Sequence, residues 1–202
     1  MASPGSDGLY AYLFVTGVKA LDATVSQVIG EVRVLIEAEG SPIRVATEVA
    51  GAYKALVAIE VAQGDLVGLH RFLRGEPYGE GGVAFEWDRF GYELVIEGPV
   101  YVDAIGIPHP PKRPGCDVVA FVRVSVEAGR AREVLGRLGD ELGPIFHGAA
   151  IVFGGTDIFL TLEASEFEEV AQAALVKVQH VSGVTATETS FADLRQYDEE
   201  EG

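Results

Sequence analysis

Apolar residues recur along this chain in two alternating patterns, short continuous runs typical of strands and stripes with helical spacing. Residues 9–15 are mostly apolar, which is typical of a buried strand. A helical stripe follows, in which apolar residues stand three, four, seven and eleven positions after the first. Two strands at 43–50 and 54–61 and a second helix at 65–73 come next. The apolar residues of the first helix are Val25, Val28, Ile29, Val32 and Ile36.

The second half of the chain repeats this order of elements. Residues 118–126 predict a strand, and the following helix carries apolar residues at the same spacing as the first helix. Two further strands flank 154–157, a second helix begins at Ser165, and residues 183–191 predict the last strand. The apolar stripes of the two helices are Ala131, Val134, Leu135, Leu138 and Leu142, then Phe167, Val170, Ala171, Ala174 and Val178.

The repeated order predicts a tandem duplication. Segments 45–60 and 148–163 both read as an apolar strand, a glycine-containing turn and a second apolar strand. The sequence therefore predicts an α+β fold of two ferredoxin-like modules, each β-α-β-β-α-β with both helices on one face of an antiparallel sheet. A bare apolar sheet face must be covered, so we expect the modules to form an intrachain pseudo-dimer like a dimeric α/β barrel.

The predicted domain organisation follows from the same pattern. Residues 1–8 predict a disordered arm, 9–103 the first module and 118–195 the second. Segments 83–87 and 92–96 predict an extra hairpin in the first module. Residues 104–117 form a proline-rich linker, which we expect to be stiff and extended, and residues 196–202 form an acidic tail.

Composition narrows the classes of partner. The net charge of −16 disfavours direct binding to nucleic acid, because a negative surface repels phosphates. No apolar run is long enough to span a bilayer, so we expect no membrane partner. The single cysteine, Cys116, permits no intramolecular disulfide and no zinc-binding cysteine cluster, which fits a cytoplasmic location. Histidines 70, 109, 147 and 180 are scattered, so neither a metal nor a cofactor is predicted.

The second module contains the segments VVAFVRVSVEAG, REVLGRLGDELG, GGTD and SGVTATETS. With these segments, residues 118–191 resemble the ligand-binding (RAM) domain of Lrp/AsnC regulators, and residues 9–90 resemble it more weakly. Gly154 and Asp157 match the turn of that family, whereas Gly155 and Thr156 depart from it. The last strand matches at Gly183, Val184, Thr187 and Thr189.

The resemblance implies a tandem RAM-like protein without a helix-turn-helix. Such a protein would be a stand-alone sensing module that binds a small effector, commonly an amino acid, and forms homo-oligomers without contacting DNA itself. Asp157 would hold the ammonium group, and the amides of Gly155 and Thr156 would meet the carboxylate. In the plainer interpretation, Asp157 only fixes the turn and the threonines reflect β-propensity. The candidate ligand-binding residues are Gly154, Gly155, Thr156, Asp157, Thr187 and Thr189.

Two other functions stay open. The chain has no nucleophile elbow, phosphate loop or dinucleotide fingerprint, so no catalytic residue is predicted and a non-enzymatic module is the favoured hypothesis. The second hypothesis is a small dimeric α/β-barrel enzyme, monooxygenase-like, with a cleft lined by His70, Tyr53 or Trp87. The third is a structural partner that docks on a DNA-binding relative through its sheet edges.

Overall fold

The computed structural model describes residues 8–19, 23–62, 65–97 and 115–193. The chain divides into two compact units. The first contains the residues up to Glu48 together with Lys54–Ile96, and the second contains Val49–Tyr53 and the residues from Glu97 onward. The predicted acidic tail, most of the predicted arm and linker, and His109 lie outside the described residues.

The first unit is an antiparallel sheet with two helices. Its strands run in the spatial order β2-β4-β1-β5. Its core joins alternate residues of β1 to both helices, through side chains such as Leu13, Val28, Ile29, Leu69 and Phe72. The elements are β1 (Gly8–Val18), α1 (Val25–Val34), β2 (Ile43–Glu48), β4 (Ala55–Ala62), α2 (Leu66–Phe72) and β5 (Phe90–Glu97).

The predicted extra hairpin is wrong. Residues 83–86 lie in no strand, Trp87–Arg89 forms a short 3-10 helix, and β5 alone pairs with β1. Trp87 is fully buried, and its ring lies 4.8 Å from that of Phe85 and 5.4 Å from that of Phe72. The apolar alternation of 83–87 therefore packs an aromatic core rather than pairing with a strand, and the first unit has the plain β-α-β-β-α-β order.

Two of the helices begin differently. Thr24 caps α1 in a reciprocal box with Gln27, whose amide donates to the Thr24 hydroxyl over 3.2 Å. The fourth helix instead has Glu166 at its N-cap with no side-chain cap. Phe167 in its first turn is 54% exposed, so its predicted place in the buried stripe is wrong. Its ring lies against that of Phe191, with centroids 5.0 Å apart.

The second unit repeats the β-α-β-β-α-β order, so the predicted α+β, ferredoxin-like class is confirmed for both units. Its strands run in the order β7-β8-β6-β9, and the short strand β3 (Ala50–Gly51) lies beside β9. The helical run after β8 includes a π-helical stretch, Ala173–Lys177, and ends with the turn Val178–His180. The other elements are β6 (Val118–Val126), α3 (Ala131–Leu142), β7 (Phe146–Phe153), β8 (Ile158–Ala164), α4 (Phe167–Gln172) and β9 (Val184–Asp193).

Both faces of the central strand β6 are buried. Ala120, Val122 and Val124 enter the core beneath the helices, as the sequence pattern predicts. On the helix-free face, Phe121 is 1% exposed and Arg123 is 4% exposed. A charged side chain therefore lies buried at the middle of the unit's sheet.

The two-residue strand β3 (Ala50–Gly51) belongs to the second unit, although it precedes β4 in sequence. Ala50 pairs with Phe191 and Gly51 with Ser190 of β9. Gly51 has a φ of +131°, and a Cβ there would lie 2.5 Å from the carbonyl oxygen of Thr189. Only glycine fits this approach, which explains the residue at a position where the sequence predicted a simple turn.

Within the described residues, no helix is long enough and apolar enough to cross a membrane.

Candidate functional site

The predicted turn, 154–157, is tied to the end of β6 by three hydrogen bonds. The Thr156 hydroxyl donates to the Val124 carbonyl over 2.9 Å, and the Asp157 amide donates to the same oxygen over 3.1 Å. The Asp157 carboxylate accepts from the Val126 amide over 2.9 Å, where a bulge shifts the pairing of β6 with β9. One oxygen of Asp157 thus fixes the neighbouring strand rather than its own turn.

The two predicted threonines lie across β6 from this turn. Thr187 pairs with Val124 and Thr189 with Val122, which places both threonines on the helix-bearing face. Gln179 donates to the Thr187 hydroxyl over 3.1 Å. The Thr189 hydroxyl oxygen is buried and has no hydrogen-bond partner among the described residues. Asp157 and Thr187 therefore lie on opposite sides of Val124 in the sheet.

A buried cation, absent from the predicted site, lies beside the turn. Arg123 is the cross-strand neighbour of Phe159 on one side and of Glu188 on the other. Its Nη1 donates to the Tyr53 hydroxyl and lies 3.2 Å from a carboxylate oxygen of Glu188. Burial lowers the pKa of the Arg123 guanidinium, and the negative charge of Glu188 opposes that shift.

Tyr53 reaches Arg123 from the short segment 49–53. Its hydroxyl donates to Glu188 over 2.9 Å, and its amide donates to the Ser190 hydroxyl over 3.2 Å. The guanidinium carbon of Arg123 lies 5.2 Å from the centroid of the Tyr53 ring, within the range of a cation–π contact. Tyr53, Arg123 and Glu188 therefore form one hydrogen-bonded cluster, with Tyr53 only 5% exposed.

Gly155 connects the turn to this cluster. A Cβ on Gly155 would lie 3.0 Å from Nη2 of Arg123, so the guanidinium lies directly against the glycine backbone. A turn with exposed glycine backbone beside a cation is suited to an anionic group. Sequence reasoning missed Arg123, although it is the single charged residue of the apolar run 118–126, a pattern that marks a buried charge with partners.

The residues predicted for an enzyme cleft lie in different surroundings. His70 is exposed on α2. Trp87 lies inside the aromatic core of the first unit. Tyr53 belongs to the second unit. Among the described residues, no group of three or more histidine, cysteine, aspartate or glutamate side chains could hold a metal ion.

Part of the chain is similar in sequence to known proteins. No family model matches the chain. Over 86 residues it is 30% identical to uncharacterized HTH-type transcriptional regulators of Pyrococcus abyssi and Pyrococcus horikoshii. The match covers 40% of this chain and 50% of each relative, so the chain spans about half the length of the curated relatives it matches.

Solved structures match most of the chain in fold. An anthrone oxidase-like protein matches 93% of this chain, with 91% of its own chain covered, at a TM-score of 0.56 and 12% identity. A putative monooxygenase from Lactobacillus acidophilus matches 93% of both chains at a TM-score of 0.53 and 8% identity. The chain has the fold of the dimeric α/β-barrel proteins. This confirms the predicted fold class and, at such low identity, shows the fold alone.

Lrp/AsnC-type regulators match part of the chain. AsnC of Escherichia coli is 22% identical, with 43% of this chain and 57% of its own covered, at a TM-score of 0.36. A transcriptional regulator from Neisseria meningitidis, solved as a complex with L-Met, is 23% identical over 43% of this chain and 56% of its own, at a TM-score of 0.35.

Proposed function

We propose that the second unit is an effector-binding module of the Lrp/AsnC kind, which binds a small molecule of the amino-acid class and self-associates. The supporting observation is the turn 154–157. This turn has exposed glycine backbone and the carboxylate of Asp157, and the guanidinium of Arg123 on β6 lies against Gly155. The 86-residue likeness to HTH-type regulators supports the same class of protein.

The chemistry of the turn suits a zwitterion. The carboxylate of an amino acid would meet backbone amides near Gly155 and the positive charge of Arg123. Its ammonium group would meet Asp157, since a carboxylate has two oxygens and the Val126 amide contacts Oδ2. Thr187 and Thr189 lie on the helix-bearing face of β9, away from the face that carries Arg123, so this binding mode does not use them.

A thermal-shift screen of the natural L-amino acids, followed by calorimetry, tests this function. The decisive variant is Asp157→Asn, because its side-chain oxygen can still accept from the Val126 amide while the negative charge is lost. We expect Asp157→Asn to fold with a nearly unchanged Tm and to lose ligand affinity. Absence of a shift for every amino acid, or full affinity in Asp157→Asn, would refute an ammonium-binding role.

Self-association is tested separately. Sedimentation velocity over a hundredfold range of protein concentration, with and without the amino acid that gives the largest shift, would report the oligomer directly. We expect ligand to shift the distribution between oligomers, since a ligand that favours one assembly must stabilise it. A strictly monomeric protein at all concentrations would contradict this part of the proposal.

The second candidate function is a small monooxygenase-like enzyme. The observation that favours it is the Tyr53 phenol, which is hydrogen-bonded to both a carboxylate and a guanidinium, an arrangement that can transfer a proton. Oxygen-electrode measurements with a panel of phenolic substrates test it. Uptake that is lost in Tyr53→Phe would support it, and the same rate in both proteins would exclude Tyr53 as the catalytic residue.

A further inference from the structure

Tyr53 contacts Arg123 and Glu188 as a bound phenolic ligand would. Its ring lies over the guanidinium, its hydroxyl donates to Glu188, and the same hydroxyl accepts from Arg123. These contacts come from a segment that precedes β9 by more than a hundred residues in sequence. The side chain is 5% exposed, so the phenol fills the space in front of the cation.

The segment 49–53, which supplies Tyr53, pairs with β9 over a short stretch. In the part of the chain that the structure describes, Ala50 and Gly51 form the ladder with β9, and both residues are exposed. The Ala52 amide donates to the Thr189 carbonyl over 3.1 Å, and Ala52 is exposed as well. Tyr53 is thus the buried anchor of 49–53. Short strands with exposed backbone and few apolar contacts are the parts of a protein that open at the lowest cost.

We propose that the space in front of Arg123 is a binding site for a small phenolic molecule, and that Tyr53 is its internal occupant, which the ligand displaces. If the effector is an amino acid, its side chain is then aromatic and carries a hydroxyl group. The inference deepens the proposed function, and it rests on that function for the amino-acid class. Binding would release 49–53 from β9 and so couple ligand to a strand edge of the second unit.

The surrounding side chains set the ligand class. Arg123 offers a flat cationic face, which favours an aromatic ring. Phe159 stands beside Arg123, and its ring stacks on that of Phe121 with centroids 6.2 Å apart. The Glu188 side chain is 55% exposed and accepts a hydrogen bond from a hydroxyl group, which a hydrocarbon side chain such as that of leucine cannot supply. Nη2 of Arg123 lies against Gly155, where a side chain on residue 155 would collide with it, so the cation borders the turn 154–157.

The test uses the whole chain with two probes, 4-hydroxyphenylacetate and L-tyrosine, and L-leucine as the aliphatic comparison. Calorimetry measures affinity in the wild type, Tyr53→Ala, Tyr53→Phe and Arg123→Gln. Tyr92→Phe, which removes a phenol hydroxyl from β5 of the first unit, is the matched control. Amide hydrogen exchange at Ala52 and Tyr53 is followed in the wild type with and without saturating 4-hydroxyphenylacetate.

We expect both phenolic probes to bind the wild type and to accelerate exchange at Ala52 and Tyr53. Tyr53→Ala should bind 4-hydroxyphenylacetate at least about tenfold more tightly, because the internal competitor is removed. Tyr53→Phe should show a smaller gain, Arg123→Gln a loss, and Tyr92→Phe no change.

Three outcomes would overturn the inference. Binding by Tyr53→Ala but not by the wild type would mean that Tyr53 is an ordinary buried residue whose removal leaves a cavity. Binding to the wild type without faster exchange at Ala52 and Tyr53 would place the probe elsewhere. Absence of binding to any variant would remove the site. If 4-hydroxyphenylacetate binds as expected while no amino acid does, the inference stands and the amino-acid function fails. If L-leucine binds and Tyr53→Ala leaves its affinity unchanged, the amino-acid function stands and this inference fails.

Discussion

Replacement of Gly51 by alanine should detach the segment 49–53 from β9. A Cβ at this position would lie 2.5 Å from the Thr189 carbonyl oxygen and 3.2 Å from the Ser190 Cα, and both are backbone atoms that cannot rotate away. The φ of +131° adds strain for any residue with a side chain. Because neither the steric clash nor the strained φ can relax while β3 stays paired, we expect β3 to move off β9.

The magnitude follows from what is lost. Separation from β9 relieves the clash and the strained φ, but it breaks the hydrogen bonds from the Ala52 and Tyr53 amides, at about 0.5–1.5 kcal/mol each. It also removes the contact between the Tyr53 ring and the Arg123 guanidinium, at about 0.5–2 kcal/mol. The lower entropy of the unfolded alanine variant offsets about 0.4–1 kcal/mol of this loss. The free energy of unfolding should therefore fall by about 2–3 kcal/mol for Gly51→Ala.

Gly81→Ala is the matched control, because Gly81 also has a positive φ, +72°, but no atom lies within 4 Å of its Cβ position. It should cost about 1 kcal/mol or less. Urea unfolding followed by circular dichroism gives both values, and amide exchange at Ala52 and Tyr53 should accelerate only in Gly51→Ala. Equal destabilisation by the two variants, or unchanged exchange at 49–53, would refute the steric argument.

Three further predictions concern charged side chains. Arg123→Ala should lower the free energy of unfolding by about 2–4 kcal/mol, because a buried side chain with hydrogen-bonded partners is removed, and Arg123→Met should cost less because it refills the volume. Asp157→Ala should cost about 1–3 kcal/mol by leaving the Val126 amide without its acceptor, whereas Asp157→Asn should be nearly neutral; urea unfolding measures all four. Arg89 lowers the pKa of Glu31 by hydrogen bonding to its carboxylate, so the stability due to this pair is present above the ordinary glutamate pKa and is lost as the pH falls through the lowered value. An NMR titration should place the Glu31 pKa below that of an unpaired glutamate and raise it in Arg89→Met.

Each of these has an outcome that would contradict it. A nearly neutral Arg123→Ala would mean that the guanidinium is not a stabilising contact of the sheet. Equal stability of Asp157→Ala and Asp157→Asn would show that the Val126 hydrogen bond contributes nothing. An unchanged Glu31 titration in Arg89→Met would assign the lowered pKa to another group.

Local patterning predicted the elements well where a single face is buried. The stripes of α1 and α3 were correct at Val28, Ile29, Val134 and Leu138, because a helix that covers a sheet buries residues of the 3.6-residue period. The same reasoning failed at 83–87, where alternation suggested a strand. There, Phe85 and Trp87 are buried by an aromatic cluster rather than by strand pairing, and period-two spacing cannot distinguish the two.

The candidate site was predicted only in its local part. The turn 154–157 is a continuous segment, so its glycines and Asp157 could be found by motif. The partner of the Asp157 carboxylate, the Val126 amide, lies on another strand and depends on a bulge that no local pattern indicates. Arg123 is visible in sequence as a lone charge within an apolar strand, yet its partner Tyr53 stands 70 positions away.

The sequence by itself determined the repeated β-α-β-β-α-β order and the positions of the helix stripes, because hydrophobic spacing records which face of each element is buried. Tertiary structure alone decided that residues 49–53 join the second unit's sheet and that Tyr53, Arg123 and Glu188 meet there. The physical reason is that a buried charge must find partners wherever the fold places suitable groups. Gly51 permits that approach because it has no side chain to collide with β9.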